Sequence, residues 1–340
     1  MRPWLILVAL MAEGQPFERR VLYRSGGDIL RGAALSGPTE IVVWGERVRS
    51  VSLPNGRVAV LSGSAGPGFG EGGCLIDADR DGDQDVVLHE LPAAGRPLGR
   101  MVWLERPENK LRLVDTDADF RDCRPATLHG QSGVLLIHRQ AQVRFYSPPA
   151  RGEARWPYRD IYSIYTPSLQ GGLSIEDVDA DGYPDVLCGN YWIRSPARRD
   201  HPWRLFAINN WWEESDSAML RMARAGDLLM AQRNMALARL AWFEKPPDPT
   251  GFWRERRVPA DVRFPRALAA ARFTGDRPTI VAGENKGPGS RLLLIEPDGS
   301  TRTLGESAGF LDAWTLDADR DGKLDIITVG VESIDWWRSR

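Results

Sequence analysis

Nine residues in the pattern D-x-D-x-D-G-x-x-D occur three times in this chain, at 77–85, 177–185 and 317–325, and they restrict its fold more than any other feature. Four carboxylates in so short a loop repel one another unless a cation sits among them. Ca²⁺ takes oxygen ligands, and the alternation at positions one, three and five turns every other side chain inward. Glycine at position six permits the sharp turn, and position seven can offer its carbonyl. Asp and Gly also make ordinary surface turns. Three copies in matched contexts instead form a repeat.

An EF-hand shares the opening of this pattern, but it needs a flanking helix on each side and a Glu at position twelve. That position holds Leu88, Cys188 and Thr328. The residues after each loop are Val86-Val87-Leu88, Val186-Leu187-Cys188 and Ile326-Ile327-Thr328. Short β-branched runs around a turn read as strand, loop, strand.

Aligned on these loops, the whole chain divides into seven units spaced by about 44–51 residues, the range of propeller blades. Each unit has an inner strand, a turn or Asp loop, a β-branched strand, a third strand with an aromatic or Pro-rich edge, and an outer strand. The units begin near Asp28, Gly72, Cys123, Gly171, Ser217, Pro265 and Phe310. The third strands of the second and fifth units are close copies, Val102-Trp103-Leu104-Glu105-Arg106-Pro107 and Ala241-Trp242-Phe243-Glu244-Lys245-Pro246. The seventh unit lacks an outer strand, and residues 17–23 precede the first unit as a spare one. They resemble residues 252–258, the outer strand of the fifth unit. The expected fold is therefore all-β, a seven-bladed β-propeller closed by an N-terminal strand that completes the last blade and hides the open sheet edges.

Composition agrees. The chain has 340 residues, 44 Lys and Arg against 46 Asp and Glu, and 13 Trp. Near-neutral charge without a polybasic run argues against a nucleic-acid partner. Met1-Arg2-Pro3 followed by an apolar run to Ala12 resembles a secretory signal over residues 1–14, with a buried strand as the alternative. Residues 15–340 then form one domain, secreted or periplasmic and expected to be a monomer. The run is too short to span a membrane, and no later stretch could. Cys74, Cys123 and Cys188 leave at least one thiol unpaired, form no disulfide framework, and read as small buried hydrophobes.

The Asp loops, with the Trp-Leu-Glu-Arg-Pro and Trp-Phe-Glu-Lys-Pro edges, resemble FG-GAP/VCBS repeats, found in secreted bacterial propellers and in the integrin α-subunit head. The resemblance covers nearly all of the chain after the signal. It implies Ca²⁺ in the loops between first and second strands, about three ions in all. Carried over, the ligands are Asp77, Asp79, Asp81 and Asp85; Asp177, Asp179, Asp181 and Asp185; and Asp317, Asp319, Asp321 and Asp325. Asp83, Tyr183 and Lys323 stand at position seven and would give a backbone carbonyl. The turns at Gly37, Gly130, Gly226 and Gly275 lack the acids, and no ion is expected there.

The loops leaving each second strand gather on the opposite face. They carry Trp44, His89, Glu90, His138, Arg139, Asn190, Tyr191, Trp192, Arg233, Asn234, Glu284 and Asn285. Aromatic, amide and charged groups around a central funnel suit a polar ligand such as a sugar, although loops are polar in any case. The first functional reading is a binding or interaction module for a carbohydrate or protein partner, because no nucleophile elbow, phosphate loop or zinc motif is present. The alternative is a carbohydrate-active lyase or dehydratase, with His89, His138 or Glu284 as base and Arg139 or Arg233 stabilising charge. Propeller enzymes of that appearance tend to place His at the start of inner strands, where this chain has Arg266 and Asp312. A third reading is an adhesion scaffold like the integrin head.

Overall fold

The computed structural model describes residues 17–63, 68–139, 141–149, 155–165, 171–211, 218–222, 227–233, 235–273 and 276–340. The expected signal, Asn234, Gly226 and Gly275 lie outside them. The described strands form seven separate four-stranded antiparallel sheets. Blade one holds Gly32–Ser36, Glu40–Trp44, Arg47–Ser52 and Val58–Gly63. Blade two holds Phe69–Ile76, Asp85–Glu90, Arg100–Glu105 and Lys110–Asp115. Blade three holds Phe120–Leu128, Gln131–His138, Gln142–Tyr146 and Tyr158–Ser163. Blade four holds Leu173–Glu176, Asp185–Cys188, Tyr191–Arg194 and Arg204–Ala207. Blade five holds Ala218–Met222, Leu228–Gln232, Leu240–Glu244 and Arg254–Arg257. Blade six holds Pro265–Ala271, Thr279–Glu284, Ser290–Ile295 and Thr301–Ser307.

Blade seven takes Phe310–Leu316, Asp325–Gly330 and Ser333–Ser339 from the end of the chain and Phe17–Arg24 as its outer strand. Phe17 pairs with Ser339 and Arg24 with Ser333, antiparallel, with one bulge between Val21 and Tyr23. Inner strands of successive blades lie against one another all round the ring, the first against the seventh included. The seven-bladed propeller closed by its N-terminal strand is thus the observed fold.

The core is seven interfaces, one between each pair of neighbouring blades. Successive side chains of a strand point to opposite faces, so each second strand feeds two cores at once. In blade one, Ile41 and Val43 pack toward blade seven, and Val42 and Trp44 pack toward blade two. In blade seven, Ile326 packs toward blade six, and Ile327 and Val329 pack toward blade one. A strand buried on both faces has no polar face to alternate with, which is why the middle of these strands is apolar, as in Ile41-Val42-Val43 and Val86-Val87-Leu88. The copied third-strand edges also tie blades together. Arg106 bonds Glu40 of the preceding blade at 3.1 Å, and Lys245 donates to the Val178 carbonyl of its preceding blade at 2.5 Å.

Two expectations change. The inner strand of blade one starts at Gly32, because Asp28 is spent in a buried ion pair with Arg49 that fixes the preceding loop. Cys74 and Cys123 are joined by a disulfide, with Cα atoms 5.5 Å apart. They sit on the inner strands of blades two and three, which the ring places side by side. Cys188 is buried and free.

Candidate functional site

All three Asp loops connect an inner strand to the second strand of its blade, and all three have the same backbone. Position four is left-handed in each, with φ of 65° at Arg80, 58° at Ala180 and 62° at Arg320. Position six is left-handed too, at Gly82, Gly182 and Gly322, where glycine carries no steric cost. The first Asp of each loop accepts backbone N–H groups from positions five and six: Asp77 from Asp81 and Gly82, Asp177 from Asp181 and Gly182, Asp317 from Asp321 and Gly322. The third Asp accepts from position seven, so the N–H groups of Asp83, Tyr183 and Lys323 are turned inward onto Asp81, Asp181 and Asp321.

The fourth Asp is fully buried in every copy. Asp85 accepts from the N–H of Ala78 and of Arg106, Asp185 from Val178 and Ser195, and Asp325 from Ala318 and Ser339. Each therefore staples the loop to the end of the third strand. The indole N–H groups of Trp103, Trp192 and Trp336 face these carboxylates without closing a hydrogen bond of normal geometry. Burial raises the acids' pKa values, to about 6 for Asp85 and Asp185.

Carboxylate oxygens of Asp77, Asp79 and Asp81 lie within 4.8 Å of one another, as do those of Asp177, Asp179 and Asp185 and of Asp317, Asp319 and Asp325. Each group could hold a metal ion. One oxygen of Asp83, of Asp179 and of Asp319 is buried without a hydrogen-bond donor. A buried acceptor lacking a donor is what a hard cation satisfies, and the all-oxygen donor set suits Ca²⁺ or Mg²⁺. The loops differ at one neighbour. At the end of the third strand, Arg194 pairs with Asp179 and Asp181, and Arg338 pairs with Asp319 and Asp321. The same place in blade two holds Glu105, which pairs with Arg112 and adds to the negative field on Asp79.

The expected polar ring on the opposite face does not assemble around the channel. Trp44 is buried between blades one and two, its indole donating to the Gly70 carbonyl at 2.9 Å, and Trp192 is buried and stacked on Phe206. Tyr191 belongs to the core between blades three and four. His89 is buried against Phe120, and burial lowers its pKa. His138 is buried and accepts the Asp119 N–H, while Arg139 clamps Asp117 at 2.8 Å. Glu90 is ion-paired to Arg96 and Arg100. Glu284 accepts the backbone N–H of Arg263 and of Arg291 and pairs with the Arg291 guanidinium. Asn190 is buried, and Asn285 sits against Gly309, where a Cβ would meet its amide oxygen. The reason is common to most of them. The second strands run to Glu90, His138 and Glu284, so these polar groups fall inside the strand end and lock the hairpin that follows.

Arg233 is the exception, and it lines the central channel. At this end the channel is a cavity of about 90 Å³. Glu71 and Arg266, from the heads of the inner strands of blades two and six, meet Arg233 there. The Glu71 carboxylate bridges Arg233 at 2.5 Å and Arg266 at 3.3 Å. Burial opposes ionisation of Glu71, but Arg266, Arg233 and Arg121 outweigh it and hold its pKa below the usual range. The other end of the channel, beside the Asp loops, widens to about 910 Å³. Arg266 and Asp312 stand out in the sequence, whereas Glu71 and Arg121 do not. A signal is present. Phe69, Phe120, Phe264 and Phe310 are each followed two residues later by a charged residue: Glu71, Asp122, Arg266 and Asp312. Bulges in the first pairing of these four blades break the strand alternation at this point.

No family model matches the chain, and no curated relative matches it by sequence. Among solved structures it is similar to Saccharomyces cerevisiae Sqt1, with 9% identity, 94% of this chain and 98% of that one covered, and a TM-score of 0.59. It is similar to a gluconolactonase from Xanthomonas campestris, with 13% identity, 95% and 90% covered, and a TM-score of 0.47. A Thermus thermophilus protein described as an oxidoreductase (glucose dehydrogenase) gives 13%, 95% and 100%, and 0.46. At such identities the likeness is one of fold alone. Among the described residues no helix is long and apolar enough to cross a membrane.

Proposed function

We propose that this is a secreted, monomeric, Ca²⁺-stabilised propeller of the FG-GAP/VCBS type that serves as a binding module, its carbohydrate or protein ligand docking on the face opposite the Asp loops. One observation carries the calcium reading: three loops far apart in sequence share one backbone, including a left-handed non-glycine residue at position four. Such a residue is strained, and strain kept three times over supports a common task. The loops tie strands within blades two, four and seven, so an ion there would brace nearly half of the ring. The disulfide supports export, since such bonds persist in oxidising compartments. The groups a lyase or dehydratase would use as base, His89, His138 and Glu284, are each buried or ion-paired, which favours binding over catalysis.

Ca²⁺ that binds only the folded state must raise the melting transition, by about 2.7 kcal/mol per site at a hundredfold excess over Kd. The expected result is a higher Tm in calcium than in EDTA, with a smaller rise in the Asp319→Ala variant. Identical melting curves in EDTA and calcium would mean that the loops are turns alone.

A further inference from the structure

The narrow end of the channel gathers arginines from several blades. Its wall carries Arg31, Arg121, Arg124, Arg233 and Arg266. The acids are Glu71, Asp122 and Asp312. All three are already engaged by the protein. Glu71 spends one oxygen on Arg233 and the other on Arg266. Asp122 accepts the Gly172 N–H at 3.1 Å, and Asp312 accepts the Ala313 N–H at 2.8 Å. Arg121, Arg233 and Arg266 all act on the one Glu71 carboxylate, beside a space of about 90 Å³.

Two of these cations are deeply placed. The Arg233 side chain is 10% exposed, and its Nε–H is buried without an acceptor. The Arg266 side chain is 14% exposed. Burial, with Arg233 and Arg121 close by, brings its pKa down to about 10 despite the opposing pull of Glu71. It stays charged near neutral pH, but in a setting that disfavours the charge. Like charges held together out of water raise the energy of the site, and an anion lowers it. The guanidinium fork matches the paired oxygens of a carboxylate or phosphate. The space is small, about 90 Å³. It takes one such group, and the remainder of a ligand extends to the surface of the face.

We propose that this channel mouth is a docking site for one small oxyanion group of the ligand, a carboxylate or a phosphate, held by Arg121, Arg233 and Arg266. The ligand is then an acidic molecule, such as a uronic-acid sugar or a sugar phosphate. This rests on the reading of that face as a ligand surface.

The test is calorimetric titration of the whole protein, in calcium at fixed ionic strength, with galacturonate, galactose, glucose 1-phosphate and inorganic phosphate. Galacturonate or glucose 1-phosphate is expected to bind and galactose not, with binding weakening as salt is raised. The stronger of the two names the oxyanion. Arg233→Gln removes a buried partner of Glu71 and risks misfolding. Arg121 is exposed, so Arg121→Gln is expected to melt normally and to weaken anion binding about tenfold, as loss of a charge-assisted contact should. Equal binding of galactose and galacturonate, or anion binding unchanged in Arg121→Gln and in a folded Arg233→Gln, overturns the oxyanion site and leaves the face as a ligand surface. Arg121-dependent binding of inorganic phosphate with no response to any sugar supports the oxyanion site and removes carbohydrate as the partner. No response to any of the anions overturns the site.

Discussion

Arg194 and Arg338 stand where blade two has Glu105, and this single position should grade the three loops. A guanidinium resting on the acids at positions three and five competes with an incoming cation, and a carboxylate at the same place recruits it. Exposed pairs of this kind are weak and change affinity by up to about fivefold. Arg338→Gln is therefore expected to tighten calcium binding in blade seven by up to that factor. Glu105→Arg is expected to weaken it in blade two, both read by calorimetry; no change in either variant would show the position to be indifferent. The buried histidines make a second prediction at this scale. Burial holds His89 and His138 below the ordinary value of 6.5. Between the folded and unfolded values the unfolded chain takes up protons that the folded one refuses, so stability is full above about 6.5 and falls as pH drops below it. Asp85 and Asp185, raised to about 6, act in the opposite sense over this range, so the histidine contribution is read as a difference: the intact protein should lose more stability, or gain less, between pH 7 and pH 5 than the His89→Leu variant. An unaltered slope would assign the acid sensitivity to other groups.

At the scale of elements, the Asp loop holds its shape through backbone conformation as much as through charge. Ala180 sits at φ 58°, where a side chain costs about 1–2 kcal/mol and glycine costs nothing sterically. Against the extra freedom glycine gives the unfolded chain, Ala180→Gly should still stabilise the ion-free protein by about 0.5–1 kcal/mol in denaturant titration. A loss of stability would mean that the loop is not strained there. What the sequence discloses follows the same physics. The Asp loops, the apolar second strands and the seventh unit's missing partner can be read directly, because charge spacing, β-branched runs and repeat length are local. The disulfide cannot, since Cys74 and Cys123 meet only through the placement of neighbouring blades. Nor can the fate of His89, Glu90, His138 and Glu284. Polar residues after a strand look like loop, and only the observed strand ends and the arginines that follow show them to be buried locks. The outer strand Tyr158–Ser163 also has no apolar stripe to announce it: Ile161, which it buries in the core between blades three and four, stands between Asp160 and Tyr162.

Across the whole molecule, stability is divided among seven interfaces and depends on the ring being complete. Phe17 belongs to the core between blades six and seven, and Arg19 bonds the fully buried Asp335 at 3.1 Å. Without residues 17–24 the strand Ser333–Ser339 would become an open edge and Asp335 would lose its cation. Such a deletion is expected to lower Tm and to promote association in sedimentation experiments, because an unpaired edge recruits other chains. A truncated protein that melts and sediments like the intact one would mean that the ring does not need this strand.

The same pairing sets the order of events during synthesis. Arg19 is made 316 positions before its partner Asp335. Blades one to six can form from contiguous stretches as each emerges, but the seventh requires a segment made before all of them. The nascent ring is therefore an open arc until Ser333–Ser339 has emerged. A circularly permuted gene that places the first strand after the last would turn this final long-range step into the closing of a local hairpin.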